Sequence, residues 1–128
     1  MNKEENVESQ RKIIFENVTK ILHDIGIPAK LQGYTYLREA IVIVSQDITL
    51  LRGITKYLYP NLAEKFKSKP SQIERGMRHA IEVAWIRGNI QNIDKIFGYT
   101  VSPSKGRPTN SEFIAMVSDK VRIDMGMI

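Results

Sequence analysis

The sequence predicts an all-α fold, six or seven helices in a single domain. Three observations lead there. Apolar residues recur at three- and four-residue spacing over most of the chain, from Ile14 to Val121. A length of 128 residues with 42% apolar content suits one domain with a real core. No stretch shows the sustained apolar–polar alternation of a half-buried strand.

Residues 1–10, polar and mixed in charge, read as a linker remnant, and 11–128 as the domain. From about Ser9 the pattern turns helical, with Ile14, Val18, Ile21, Leu22 and Ile25 on one stripe, and Gly26 and Pro28 stop it. A second helix fits 35–46 on Leu37, Ala40, Ile41 and Val44. The run IVIV alone would suit a strand, but the LREA start and the lack of alternating polar residues favour a buried helix. A third helix, 48–58, places Leu51, Ile54, Tyr57 and Leu58 inward, and Pro60 and Asn61 punctuate the chain after it. A short helix over 60–67 turns Leu62, Ala63 and Phe66 inward. KSKP then makes a polar turn, and a long helix runs from 71 to 87, ending at Gly88-Asn89. A further short helix, 90–97, buries Ile90, Ile93, Ile96 and Phe97 and stops at Gly98. GYTVSPSKGRPT (98–109) is irregular, with a small hairpin over 99–108 as the alternative. The last helix opens on Thr109-x-x-Glu112, a capping-box pattern, and carries Phe113, Ile114, Val117 and Val121.

Composition narrows the chemistry. There are no cysteines, which removes disulfides, thiolate catalysis and cysteine-built zinc sites. Histidine occurs only at 23 and 79, no metal-ligand cluster emerges, and no phosphate-binding glycine motif is present. The expectation is a domain that is not an enzyme and needs no cofactor. The longest apolar run, AIVIV, is far too short to span a membrane, and the N-terminus has no export signal, so a cytoplasmic protein is expected. The net charge is +5. From Arg52 to Arg78 there are seven basic residues against two acidic ones, Glu64 and Glu74. A surplus concentrated there favours a polyanionic partner. The bland alternative is a solvated face, or a helical protein-interaction module that binds an acidic partner without any DNA sequence preference.

The short helix, polar turn and long helix over 60–89 form a helix-turn-helix pattern, the arrangement that presents a reading helix to the DNA major groove. At one hundred degrees per residue, Ile73, Met77, Ala80, Ile81 and Ala84 share one side. Gln72, Arg75, His79, Glu82 and Ile86 lie opposite, with Glu74 and Arg78 flanking them. Gly76, at the apolar edge, costs about 1 kcal/mol relative to alanine inside a helix; close approach of the preceding helix would account for it, with neutral tolerance as the alternative. Ser71-x-x-Glu74 can form a capping box, with Ser68 as the other possible cap. The free N–H groups of the first turn, at Ser71, would suit a phosphate. Glu74 is then either a cap or an acceptor for a cytosine amine, Arg75 a reader of guanine O6 and N7, and Gln72 a reader of adenine. Arg78, His79, Lys65, Lys67 and Lys69 are candidates for phosphate contacts, which position the protein without specifying sequence. Trp85 belongs to core or interface packing.

YTYLREAI (34–41), ITKYLYPNLAEKF (54–66), QIERGMRHAIEVAWIRGNI (72–90) and IFGYTVSPSKGRPTNSEFIAM (96–116) together resemble the C-terminal effector-domain family of the Spo0A sporulation response regulators of endospore-forming Firmicutes. The similarity covers roughly residues 12–123, and RHAIEVAW followed by RGN, with RPTNSEFIA, is its most specific part. The resemblance implies a winged-helix-like response-regulator effector domain that binds DNA as two tandem copies on 0A boxes of TGTCGAA type. It implies both activation and repression of transcription at entry into sporulation, with RNA polymerase holoenzyme as a partner. It also implies an N-terminal receiver, phosphorylated through a phosphorelay, which this sequence lacks if it begins in the linker near residues 1–10. Within the family pattern, Glu74 and Arg75 match base-reading positions, and Arg78 and His79 match its further arginine and histidine. Gln72 stands where the family commonly has arginine, which puts one contact in doubt. The last helix is implicated in head-to-tail contact between copies or with polymerase. Phe113, Ile114 and Val121 are the candidates, and a core position is their other reading. The expected free state is a monomer that pairs on DNA.

Overall fold

A computed structural model of the chain describes residues 3–98 and 106–128. Six α-helices make up the domain: α1 (Lys3–Ile25), α2 (Gln32–Gln46), α3 (Tyr59–Lys65), α4 (Pro70–Arg87), α5 (Ile90–Phe97) and α6 (Asn110–Asp124). The fold is all-α, as expected, and among the described residues there is no strand. The hairpin alternative over 99–108 falls mainly on residues 99–105, outside the described residues.

Helix α2 is the centre of the domain, packed against α1, α4 and α6. It has to be apolar nearly all round, and it is: Tyr34, Tyr36, Leu37, Ala40, Ile41, Val42 and Val44 are all buried. That settles IVIV as helix, since a helix enclosed on every side loses its one-sided periodicity. Helix α1 starts at Lys3, earlier than the apolar spacing suggested, although residues 3–10 are all exposed and the packed stripe begins at Ile14.

The expected third helix over 48–58 is not one α-helix. Asp47 accepts a hydrogen bond from the Thr49 N–H at 3.2 Å and opens a 3-10 segment, Ile48–Gly53. A π-helical turn, Ile54–Leu58, follows and runs directly into α3. Pro60 therefore does not punctuate the chain. It sits in the first turn of α3, just after the π turn. The wider π turn also shifts the buried face: Ile54 and Leu58 stay inside while Tyr57 is 58% exposed, contrary to its expected inward position.

Helix α5 buries Ile93 and Phe97, half-buries Ile96 and leaves Ile90 exposed. Ile90 misses the core because it starts the helix at a solvent-facing corner, where Ile86, Arg87, Asn89 and Gln91 are exposed too. That corner is stitched to the end of α1. The Asn89 N–H donates to the Ile25 carbonyl at 2.9 Å, and Asn92 Nδ2 donates to the Asp24 carbonyl at 2.7 Å. Gly88 permits the approach, since a Cβ there would stand 2.4 Å from the Ile25 oxygen.

Helix α6 begins with the expected capping box: the Glu112 N–H donates to Thr109 Oγ1 and the Thr109 N–H to Glu112 Oε1, each at 3.1 Å. Phe113 joins Phe97 (centroids 5.4 Å apart) and the half-buried Trp85 (6.1 Å) in one aromatic cluster, which gives Trp85 its packing role. Phe113, Ile114 and Val121, offered above as interface candidates, are fully buried. Their spacing sets them on the inward stripe of α6 with Val117, so in the folded domain they pack the core and offer no contact surface.

Candidate nucleic-acid interface

Helix α3, a turn over 66–69 and α4 lie consecutively, and local chemistry fixes how they join. Lys67 adopts a left-handed conformation, φ 52°. This lets the Ser68 N–H reach the Ala63 carbonyl at 2.8 Å and close the end of α3. Phe66 anchors the turn against Tyr36 of α2, ring centroids 5.2 Å apart. Lys69 then precedes α4 in extended conformation, with Pro70 in the first turn.

The Ser71–Glu74 capping box does not form, because the helix starts one residue earlier and Ser71 already lies inside its first turn. Gln72 reaches back instead. Its Oε1 accepts from Ser68 Oγ at 2.6 Å and from the Lys69 N–H at 3.3 Å. Glu74 is half-buried and pairs with Arg78, Oε1 to Nε 3.4 Å, across one turn.

The face of α4 divides as the angular reading predicted. Ile73, Met77, Ala80, Ile81 and Ala84 are buried. Arg75 and His79 are exposed, and neither has an ion-pair partner among the described residues. Together with Gln72, Lys67 and Ser68 they line a cleft of about 510 Å³ on the side of the turn. Glu74 and Arg78 face a second cleft, about 520 Å³, whose opposite wall is Arg107, Thr109 and Asn110 at the start of α6. Glu82 is half-buried and its carboxylate lies 3.8 Å from Arg107. Lys67 and Lys69 are exposed on the turn.

Lys65 is placed differently from its expected role. Its Nζ stands 2.7 Å from Glu39 Oε1, and Arg11 Nη2 reaches both oxygens of the same carboxylate, at 2.6 and 2.9 Å. Burial alone would push the Glu39 carboxyl up, but hydrogen bonds and charge from Lys65 and Arg11 outweigh it and hold the carboxyl below its usual value. This clamp joins α1, α2 and the end of α3, and it pairs the exposed Lys65 charge with Glu39.

Gly76 marks a close approach, but from α2 and not from the preceding helix. A Cβ on Gly76 would lie 3.0 Å from the Tyr36 ring, and one on Gly33 would lie 1.9 Å from the Gly76 oxygen. Asn110 supplies the other brace. Its Nδ2 donates to the Glu74 carbonyl (3.0 Å) and to Tyr59 Oη (3.1 Å), so a buried amide ties α6 to both α3 and α4. Burial raises the Tyr59 pKa, with Glu74 adding to the rise and the Asn110 bond opposing it.

Gly33, Glu39, Arg11 and Asn110 were not found from the sequence. Only Glu39 left a signal there, a lone carboxylate within an apolar run, which requires a paired cation if buried.

The architecture defines a six-helix effector domain consistent with a winged-helix-like fold. A family model described as Sporulation initiation factor Spo0A C terminal matches residues 18–121, and the chain belongs to that family. Membership suggests a DNA-binding transcriptional regulator, a regulatory domain and not a catalytic one. Among the described residues no group of three or more His, Asp or Glu could hold a metal ion, and no helix is long and apolar enough to cross a membrane.

Proposed function

We propose that this domain binds 0A-box-type DNA in a sequence-specific manner, with α4 in the major groove, and so activates or represses genes at entry into sporulation. The observation that carries this reading is Arg75. It stands exposed near the centre of the α4 face opposite the buried stripe, without a competing acidic partner among the described residues. A guanidinium there is free to take guanine O6 and N7. Glu74, flanking it, accepts from cytosine once α4 is in the groove, and Gln72 contacts the same groove. Arg78, His79, Lys67 and Lys69, with the N–H groups of the first turn at Ser71, meet phosphates. Lys65 serves mainly the Glu39 clamp.

Two copies occupy adjacent sites in this reading, and the free domain is monomeric. Residues 1–10, of which 3–10 form the exposed start of α1, lead to a receiver whose phosphorylation through a phosphorelay governs binding, and polymerase holoenzyme is the downstream partner. The test is a titration of a duplex carrying two adjacent TGTCGAA-type boxes against a shuffled duplex at physiological salt. Preference for the cognate duplex with two domains bound supports the reading. Equal binding to both would instead describe a basic module without sequence preference.

A further inference from the structure

The Gln72 amide is restricted in what it can recognise, and the restriction deepens the DNA-binding reading on which it rests. We propose that Gln72 is a donor-only contact. It presents its Nε2 amine to a hydrogen-bond acceptor on DNA and does not make the two-way amide pairing with adenine.

An amide oxygen has two lone pairs. Both of those on Gln72 are met inside the protein, by Ser68 Oγ at 2.6 Å and by the Lys69 N–H at 3.3 Å. The amide orientation follows from the second bond. A backbone N–H can only donate, so the atom facing it must be the oxygen; the flipped amide would set a donor against a donor. Two-way recognition of adenine needs that same oxygen for the N6 amine while Nε2 donates to N7. With the oxygen taken, what remains is an NH₂ group on an exposed side chain, in the cleft shared with Arg75 and His79. Such a group suits an acceptor: a purine N7, guanine O6, thymine O4 or a phosphate oxygen.

The same two bonds hold the amide in place before DNA arrives. Ser68 belongs to the turn that the left-handed Lys67 makes possible, and Gln72 to the first turn of α4. Gln72 is therefore both the brace of the turn and a preset donor, and the two roles can be separated by substitution. Gln72→Glu retains oxygens for Ser68 and Lys69 but has no amine. Gln72→Ala loses both.

The experiment measures Tm and duplex affinity for wild type, Gln72→Glu and Gln72→Ala. The duplex is the tandem TGTCGAA-type site, with purines replaced singly by their 7-deaza analogues, guanine by 2-aminopurine, which lacks O6, thymine by 5-methyl-2-pyrimidinone, which lacks O4, adenine by purine lacking the 6-amine, or phosphates by methylphosphonates. The expected result is that Gln72→Glu keeps the wild-type Tm and loses affinity, while Gln72→Ala loses about three- to tenfold, the scale of one hydrogen bond. One acceptor deletion should weaken wild type by that factor and leave Gln72→Ala unaffected. A base analogue in that role identifies a base-edge acceptor, and a methylphosphonate identifies a phosphate oxygen. The proposal is overturned if removing an adenine 6-amine is the change to which only wild type responds, or if no substitution distinguishes wild type from Gln72→Ala. If wild type itself fails to prefer the tandem site over a shuffled duplex, the DNA-reading proposal fails along with this one, and that result is distinct from the other two.

Discussion

Gly33 of α2 and Gly76 of α4 meet backbone to backbone. A Cβ on Gly33 would stand 1.9 Å from the Gly76 oxygen and 2.8 Å from Ala80 Cβ, closer than any real side chain approaches. Neither helical backbone can give way without moving the helix. Gly33→Ala is expected to destabilise the domain by about 3 kcal/mol or more, at or above the usual range for overpacking. Gly76→Ala meets only the Tyr36 ring at 3.0 Å and gains about 1 kcal/mol of helix propensity, so its net effect should be much smaller. Urea denaturation of the two variants checks the order, and a Gly76→Ala variant weaker than Gly33→Ala would contradict it.

Arg75→Ala should weaken cognate DNA by about 1–3 kcal/mol, the value of a bidentate base contact, and weaken a shuffled duplex much less. Fluorescence anisotropy at one fixed salt concentration reads both. An equal loss on the two duplexes would reduce Arg75 to a phosphate contact.

The Glu39 clamp predicts an acid sensitivity. Burial pushes the carboxyl up, but Lys65 and Arg11 bring the folded-state value below the ordinary 4.5. The clamp's contribution is therefore complete above the unfolded value and is lost as pH falls through the lowered folded one. Glu39→Gln should lower stability at neutral pH and flatten its dependence on pH below that ordinary value. With Lys65 and Arg11 side chains 46% and 37% exposed, the neutral-pH loss should lie near 1–2 kcal/mol, between exposed and buried pairs. Chemical denaturation across the acid range provides the measurement.

Lys67 holds a left-handed backbone that costs a non-glycine residue about 1–2 kcal/mol. Lys67→Gly removes that cost along with a positive charge. Thermal stability should stay level or rise, while DNA affinity falls and its dependence on salt becomes shallower by about one phosphate contact. A loss of stability with unchanged DNA binding would show the lysine to be structural.

The buried stripe of α4 was legible because helical periodicity is strong in a long amphipathic helix: Ile73, Met77, Ala80, Ile81 and Ala84 lie where the spacing sets them. The Thr109–Glu112 box was legible for a similar reason, being a local bond between residues three apart. The π turn before α3 was not, since Ile54 and Leu58 fit an α-helix as well and only Tyr57 shows the difference. The start of α4 falls one residue before the expected 71: of the two caps the sequence offers, Ser71 lies inside the first turn, and Ser68 stands before the helix, bonded to the Gln72 side chain. The contacts that hold the interface in position, Gly33 with Gly76, Glu39 with Lys65 and Asn110 with Glu74, connect residues distant in sequence. No local pattern encodes such pairs.

At about 1.5 Å per residue, the 23 residues of α1 make a rod about 34 Å long. Arg11, joined to Glu39, ties this rod to α2, and every residue from Lys3 to Gln10 is exposed. Amide hydrogens in those opening turns should exchange through local fraying, at rates indifferent to the stability of the whole. Protection should climb steeply past Arg11, and Glu39→Gln should move that step toward Ile14, so the boundary between fraying and cooperative unfolding records whether the clamp is closed.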